Sequence, residues 1–151
     1  MNAPIVYLDS SAIIKRYLEE PGSKAVRDLY IKTYSGEARI AYSIWNIGEV
    51  LGVLDRAKRL DRINDREYSV TRKRFLGETR RMLKLGIALA LPLKVTILRE
   101  AWRTIERQHL YMADALQIAT AKHVNSEKFL TSDRKLYEAA LAEGLDSVLL
   151  T

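Results

Sequence analysis

The chain has 151 residues, which is enough for one compact domain whose core needs no cross-links. Hydrophobic residues make up 48% and charged residues 29%, a composition typical of globular rather than disordered proteins. Cysteine is absent, which excludes disulfide scaffolds, thiolate zinc sites and cysteine nucleophiles. Only His109 and His123 are present, so Ser-His-Asp hydrolysis and multi-histidine metal sites are hard to assemble. Any catalysis is therefore expected to depend on carboxylates.

No apolar run reaches the roughly 18 residues that a membrane-spanning helix needs. The chain begins Met-Asn-Ala-Pro-Ile-Val-Tyr-Leu-Asp, without the basic flank and cleavage site of a signal peptide. We therefore expect a cytoplasmic protein that does not associate with a membrane, with a single domain over residues 1–151.

In the first half of the chain, short apolar runs alternate with helical patterns. The predicted elements are, in chain order, a strand at 5–8, a helix from Ser10 to about residue 20, a helix from Ser23 to about residue 35, a strand at 39–42, a strongly apolar helix from Ser43, and a helix that Asn64 or Asp65 caps and Gly86 ends. Pro21-Gly22 separates the first two helices.

The second half continues the alternation, with strands at 87–91, 128–131 and 147–150 and helices at 96–107, 113–122 and about 134–142. Short apolar strands separated by helices predict an α/β fold, with a central parallel sheet covered by helices on both faces. In such sheets, ligands bind at the carboxyl ends of the strands.

The formal net charge of +6 arises entirely between Asp55 and Lys84, where eleven basic residues accompany five acidic ones. This segment includes the consecutive cations Arg72, Lys73 and Arg74. A local basic stripe is expected of a polyanion-binding surface, because each neutralised phosphate releases counterions. A solvated helix face is the simpler explanation of a charge run considered alone.

Three acidic residues stand in otherwise uncharged surroundings. Asp9 is the only charge among residues 1–14, Glu49 the only one between Arg39 and Asp55, and Asp114 the only one from 110 to 121. An unpaired carboxylate in apolar surroundings costs several kcal/mol, so each should face solvent, find a partner or bind a cation.

Each acid also has a structural explanation. Asp9 is a suitable helix cap, Asp114 a favoured first-turn acid, and Glu49 a partner for a buried arginine. A fourth acid, Asp133, follows Thr131-Ser132 as an ordinary N-cap.

The joint interpretation is stronger, because Asp9 and Asp133 both end predicted parallel strands and face a shared crevice. Glu49 and Asp114 are placed to line its rim. Four carboxylates held together repel one another unless a divalent cation neutralises them, and oxygen ligands select magnesium or manganese over zinc. Such ions activate water and stabilise the leaving oxygen of a phosphodiester without histidine.

The sequence resembles the PIN-domain ribonucleases of the VapC toxin type. The stretch Val-Tyr-Leu-Asp-Ser-Ser-Ala at 6–12 resembles the first acidic motif of that family, and 43–49 the second. Ala-Asp-Ala at 113–115, before an alanine-rich helix, is similar to the third motif, and Leu-Thr-Ser-Asp at 130–133 to the fourth. The order and spacing of the motifs cover nearly the whole chain.

This resemblance implies a three-layer α/β/α sandwich and a Mg²⁺- or Mn²⁺-dependent endoribonuclease. Asp9, Glu49, Asp114 and Asp133 would be the catalytic, metal-binding acids, oriented by Ser11 and Thr131. Family members often carry asparagine where Ser11 stands. The basic segment at 55–84, with Arg72, Lys73 and Arg74, would form an RNA-gripping arm or a dimer surface.

The resemblance also implies partners. Toxins of this type pair with a small antitoxin protein that blocks the acidic pocket, and they commonly form homodimers. The apolar face with Ile44, Trp45 and Ile47, or the helices near Ile13 and Tyr17, would supply the homodimer contact.

Other classes of enzyme and of binding protein compete with this one. A phosphotransferase with an aspartyl nucleophile needs a second aspartate two residues after Asp9, where Ser11 stands, and no glycine-rich phosphate loop occurs. Two alternatives stay open: a housekeeping RNA-processing PIN nuclease, and a non-catalytic PIN module that binds RNA or protein through the basic segment.

Overall fold

A computed structural model describes residues 3–151, so Met1 and Asn2 of the predicted domain lie outside the described residues. Five parallel strands form one sheet in the order β3-β2-β1-β4-β5. The strands are β1 (Ile5–Leu8), β2 (Arg39–Ser43), β3 (Ala88–Leu91), β4 (Lys128–Thr131) and β5 (Ser147–Leu149). The helices are α1 (Ser10–Ile14), α2 (Ser23–Tyr34), α3 (Ile44–Arg59), α4 (Asp65–Leu85), α5 (Val95–Gln108), α6 (Met112–His123) and α7 (Arg134–Ala142).

The alternation of side chains along β1 divides the core into two layers, because successive residues of a strand point to opposite faces. Val6 and Leu8 belong to the layer that α1, α2, α3 and α4 cover. Tyr7 points to the other face, where α5, α6 and α7 pack, and its ring stacks on Phe129 of β4 with centroids 5.5 Å apart. The predicted three-layer α/β/α sandwich is confirmed.

The first helix is shorter than predicted. It ends at Ile14, whereas the sequence pattern extended it to about residue 20. After Ile14 the chain continues in turns, in which the Arg16 N–H donates to the Ile13 carbonyl oxygen, and the buried Lys15 side chain pairs through Nζ with Glu20, 3.1 Å away. Pro21 disfavours helical geometry at the preceding residue, so the turn continues to the start of α2.

The basic segment between Asp55 and Lys84 is not a free-standing arm. Its main helix, α4, buries Phe75 and Met82 in the core beside β3 and leaves the opposite, basic face exposed. Asn64 rather than Asp65 caps the helix, because its side chain accepts a hydrogen bond from the Glu67 N–H.

The two apolar faces offered for a homodimer contact differ in exposure. Ile13 and Tyr17 are core residues, 2% and 7% exposed, so they are not free to form a homodimer contact. The helix α3 is not uniformly buried: Ile44 and Trp45 are 44% and 47% exposed, although Val50 and Leu54 on the opposite side lie in the core.

A buried carboxylate on α4 holds three elements together. Glu78 accepts two hydrogen bonds of 2.9 Å from the Arg16 guanidinium, and one of 2.8 Å from each of the Tyr17 and Tyr34 hydroxyls. Burial raises the pKa of Glu78, but the bonds from Arg16 and the two tyrosines outweigh it and hold the pKa at about 2. The ion pair therefore ties α4 to the turn after α1, and the bond from Tyr34 ties it to α2.

No helix among residues 3–151 has the length and apolar character needed to cross a bilayer.

We expect Glu78→Gln to lower the free energy of unfolding by about 3 kcal/mol near pH 7, because it leaves Arg16 without its charged partner. The pKa of Glu78 lies below its ordinary value of 4.5, so its contribution is complete above that pH and is lost as the pH falls toward 2. Urea unfolding of both proteins between pH 7 and 2 measures this. Asp28→Asn, in an exposed pair with Lys24, should have no measurable effect. A wild-type advantage that does not shrink in acid would contradict the assignment.

Candidate active site

The four predicted acids lie at or near the carboxyl edge of the sheet. Asp9 follows β1 directly, and its backbone N–H donates to the Leu130 carbonyl oxygen of neighbouring β4, 3.2 Å away. Asp133 follows β4 and caps α7, since its Oδ1 accepts from the Leu136 N–H at 3.2 Å. Glu49 stands in the second turn of α3, which begins where β2 ends, and Asp114 is in the first turn of α6.

Asp9 is 5% exposed and is held by three hydrogen-bond donors. The Ser11 hydroxyl donates to Oδ1 and the Thr131 hydroxyl to Oδ2, each at 2.6 Å, and the Ala12 N–H donates to Oδ1 at 2.9 Å. The bond from Ala12 makes Asp9 the N-cap of α1 as well, so the capping explanation and a place at the site hold together.

The two hydroxyls that contact Asp9 also join β4 to the site. Ser11 Oγ accepts from the Ser132 N–H at 2.9 Å, and Thr131 Oγ1 accepts from the Asp133 N–H at 3.0 Å. Each hydroxyl therefore donates to Asp9 and accepts from the segment that carries Asp133. Ser11 and Thr131 fix the two acidic ends of β1 and β4 relative to one another.

Burial raises the pKa of Asp9 from its ordinary value of 3.8 to about 6, although the bonds from Ser11, Thr131 and Ala12 lower it. The charge of Asp133 adds to the rise. Asp9 is thus a buried carboxylate that accepts from neutral donors and forms no ion pair with a cation among residues 3–151.

Glu49 is half-buried, and both of its donors bond one oxygen. Oε1 accepts from the Ser10 hydroxyl at 2.9 Å and from Asn46 Nδ2 at 3.2 Å. Ser10 precedes Ser11 in α1, so adjacent serines serve two different acids. The alternative that Glu49 pairs with a buried arginine is not realised among residues 3–151.

Asp114 has a raised pKa, first because of burial and then because the charges of Asp133 and Glu49 act on it. The cation of Lys135 lowers the pKa in part. Because Asp133 acts on both Asp9 and Asp114, and Glu49 on Asp114, all four acids share one electrostatic environment.

The carboxylates do not converge on a ready-made coordination sphere: in the described part of the chain, no three Asp, Glu or His side chains group closely enough to hold an ion. Asp9, Glu49 and Asp133 are instead hydrogen-bonded to their local donors. The donor set itself, all carboxylate and hydroxyl oxygens, fits Mg²⁺ or Mn²⁺, which prefer oxygen ligands.

Ser10 and Asn46 were missed by the sequence reasoning. Asn46 lies three residues before Glu49, the spacing that puts two side chains on one face of a helix, and this spacing was the available signal. No comparable pattern in the sequence links Ser10 to Glu49, which is 39 residues away.

The three cations predicted to bind RNA lie on the exposed side of α4. The Arg74 guanidinium stacks over the Tyr17 ring, 5.4 Å from its centroid. Among the ion pairs of residues 3–151, none involves Arg72, Lys73 or Arg74. Their charges are therefore available to a polyanion.

A protein-family model described as PIN domain matches residues 6–141. Among solved structures, the chain is similar to FitAcB from Neisseria gonorrhoeae, with 18% identity, a TM-score of 0.66, and coverage of 97% of this chain and 96% of that one. For PAE2754 from Pyrobaculum aerophilum the identity is 20%, the TM-score 0.64 and the coverage 97% and 90%.

A third similar structure is Mycobacterium tuberculosis VapC20, described as a sarcin-ricin loop cleaving toxin, with 14% identity, a TM-score of 0.63, and coverage of 93% of this chain and 95% of that one. At these identities the likeness shows the fold. No curated protein matches the sequence.

We expect the carboxyl carbon of Asp9 to titrate near pH 6 in the metal-free protein, because the acid is buried and no cation of the described residues pairs with it. Asp133→Asn should lower this midpoint by removing a nearby negative charge. The raised pKa also makes ionisation of Asp9 destabilising, so metal-free wild type should lose stability relative to Asp9→Asn as the pH rises from about 4 to 6. Carbon-13 NMR measures the titration, and a midpoint below 4 would show that Asp9 is compensated after all.

Proposed function

Because this chain belongs to the PIN-domain family, whose members are nucleases, we propose that it is a Mg²⁺- or Mn²⁺-dependent endoribonuclease and the toxin of a toxin–antitoxin pair. The observation that carries the proposal is the set of four acids, Asp9, Glu49, Asp114 and Asp133, which act on one another at the sheet edge and form no ion pair with a basic residue among residues 3–151. Carboxylates held near one another repel, and a bound divalent cation offsets that repulsion.

The four acids would hold the metal ion. When bound, the ion activates water as a nucleophile and stabilises the charge that develops on the phosphodiester oxygens. Asp9, whose pKa burial raises to about 6, would ionise more readily beside a bound cation. The charge of the ion would thereby offset the repulsion among the acids.

The neutral donors around the acids have a positioning role. Ser11 and Thr131 hold Asp9 at 2.6 Å without adding positive charge, so the carboxylate keeps its full attraction for a cation. An arginine in their place would neutralise Asp9 and compete with the ion. Lys135, whose charge lowers the pKa of Asp114, would attract the substrate phosphate toward the acids.

The basic face of α4 would bind the RNA backbone. Arg72, Lys73 and Arg74 have no acidic partner among residues 3–151, and the helix that carries them is anchored by Phe75 in the core. A rigid, unpaired array of cations supports phosphate binding better than a flexible arm, because fewer side-chain and backbone motions are frozen on binding.

The toxin assignment draws on the fold that the chain shares with VapC20, described as a toxin, and with FitAcB. Its partners would be an RNA substrate, a small antitoxin protein and a second copy of the chain. For the homodimer contact, the exposed side chains of Ile44 and Trp45 at the start of α3 are the remaining candidates. A small antitoxin encoded beside this gene would support a toxin over a housekeeping nuclease.

We expect purified protein to cleave structured RNA with Mg²⁺ or Mn²⁺ and to leave it intact with a chelator. Asp9→Asn and Asp114→Asn should reduce cleavage to the chelator level while keeping the fold, since each removes a carboxylate from a repulsive group. Gel analysis of end-labelled RNA measures cleavage, and thermal melting checks the fold. Asp146→Asn, an exposed acid paired with Lys128, is the matched control.

Cleavage that persists with chelator or in Asp114→Asn would contradict the carboxylate–metal mechanism. RNA that binds equally well with chelator and stays intact would favour the non-catalytic module.

We expect reversal of Arg72, Lys73 and Arg74 to glutamate to weaken RNA binding and to flatten its salt dependence, by about one in log–log slope for each phosphate that the variant no longer neutralises. Filter binding of inactive Asp114→Asn protein at several salt concentrations measures this. Reversal of Lys24, Arg27 and Lys32 on α2 changes the net charge equally and serves as the control. If the salt dependence of RNA binding has the same slope in the two triple variants, α4 does not bind the RNA backbone.

A further inference from the structure

A buried polar cluster lies where β1, α3 and α6 meet. Tyr7, Asn46 and Gln117 are each at most 3% exposed, and the Tyr7 hydroxyl donates to Gln117 Oε1 at 2.7 Å. Asn46 Oδ1 is 3.5 Å from the same hydroxyl. Polar side chains this deeply buried are costly unless each of their groups is satisfied, so the orientation of every member is constrained.

The orientation of the Asn46 amide follows from its neighbour Ser43. The backbone N–H of Ser43 can only donate, and it lies 2.8 Å from Oδ1 of Asn46. The oxygen of the amide must therefore face Ser43, and the nitrogen must face the other way. That nitrogen, Nδ2, donates to Glu49 Oε1 at 3.2 Å.

Asparagine suits position 46 better than a glutamate would. Asn46 is the third residue of a capping box, where glutamate or glutamine is the common choice. A glutamate would satisfy the Ser43 N–H equally well, but it would place a second negative charge beside Glu49. The asparagine amide accepts from the cap and donates to the acid one turn later.

The two carboxylate oxygens of Glu49 differ in their hydrogen bonds. Oε1 accepts from both Ser10 and Asn46, whereas no hydrogen bond between the described residues uses Oε2. Two donors thus hold the carboxylate by one oxygen, which fixes the position of Oε1 and leaves Oε2 without a hydrogen-bond partner among the described residues. A ligand that is anchored on one side and open on the other is typical of metal sites with ordered outer contacts.

We propose that Asn46 is a positioning residue: it holds Oε1 of Glu49 so that Oε2 is the oxygen with which this acid binds the metal ion. The inference rests on the proposed metal-dependent nuclease. Tyr7 supports the same geometry, because its bond to Gln117 fixes α6 against β1 on the side where Asn46 is packed.

The test compares two halves of the same capping box. Asn46→Ala removes the bond to Glu49 and one cap bond, whereas Ser43→Ala removes the cap bond between Ser43 Oγ and the Trp45 N–H and leaves Glu49 untouched. Both variants should lower the melting temperature of the protein. Only Asn46→Ala should weaken Mn²⁺ binding and lower kcat, each by about tenfold, with an unchanged KM for RNA. Calorimetric titration with Mn²⁺ measures the affinity independently of cleavage.

Asn46→Asp provides a second measurement in case the alanine variant does not fold. It keeps an oxygen that accepts from the Ser43 N–H but replaces the donor to Glu49 by an acceptor, so it should lower kcat in the fraction of protein that thermal melting shows to be folded. Equal Mn²⁺ affinity and kcat in Asn46→Ala and Ser43→Ala, or wild-type kcat in Asn46→Asp, would overturn the inference. Absence of Mn²⁺ binding by the wild type would instead refute the proposed function on which it rests.

Discussion

The hydrogen bonds around Asp9 place a charged group where water scarcely reaches it. Its carboxylate is 5% exposed, and its only partners among the described residues are the hydroxyls of Ser11 and Thr131 and the Ala12 N–H. These bonds start α1 at the end of β1 and tie that end to β4. The position of Asp133 and the start of α7 follow from the same contacts. Because burial raises the pKa of Asp9 to about 6, keeping this carboxylate ionised at neutral pH lowers the free energy of unfolding.

A comparison with two other acids shows that this arrangement is specific to the sheet edge. Glu78 and Glu143 are also largely removed from water, and the pKa of each is held at about 2. Glu78 pairs with Arg16 despite the opposing effect of burial, and Glu143 accepts from Arg107 and Lys122. Where the fold needs a buried acid only for stability, it supplies a cation. At the sheet edge it supplies hydroxyl and amide donors, and the pKa values of Asp9 and Asp114 rise.

Much of the fold was accessible from the sequence, because short apolar strands and capped helices are local patterns. All five strands were predicted within a residue or two, and Ser43, Asp133 and Gly86 mark helix ends as expected. The predicted end of α1, at about residue 20, was wrong: the helix ends at Ile14, and the segment up to Pro21 contains a contact between Lys15 and Glu20 that the hydrophobic pattern does not show. Exposure was also misjudged at Ile13 and Tyr17, since periodicity does not say which neighbours cover a face.

For the candidate site, the sequence indicated the acids but not the residues that donate hydrogen bonds to Glu49. Asp9, Glu49 and Asp114 stand out in sequence because each is alone among uncharged residues, and the topology then places them with Asp133 near one edge. The donors that hold Glu49 do not stand out, because serine and asparagine are ordinary residues at helix starts. Contacts such as Ser10 with Glu49, across 39 residues, exist only after the sheet has formed.

Above all, we infer that these four carboxylates form one metal site. Anomalous diffraction from crystals grown with Mn²⁺ tests this most directly, because the signal locates the ion without reference to activity. We predict an anomalous peak at the carboxyl edge of the sheet, within coordination distance of Asp9 and of at least two of Glu49, Asp114 and Asp133. Crystals without a peak there, or with Mn²⁺ bound only elsewhere on the protein, would contradict the inference.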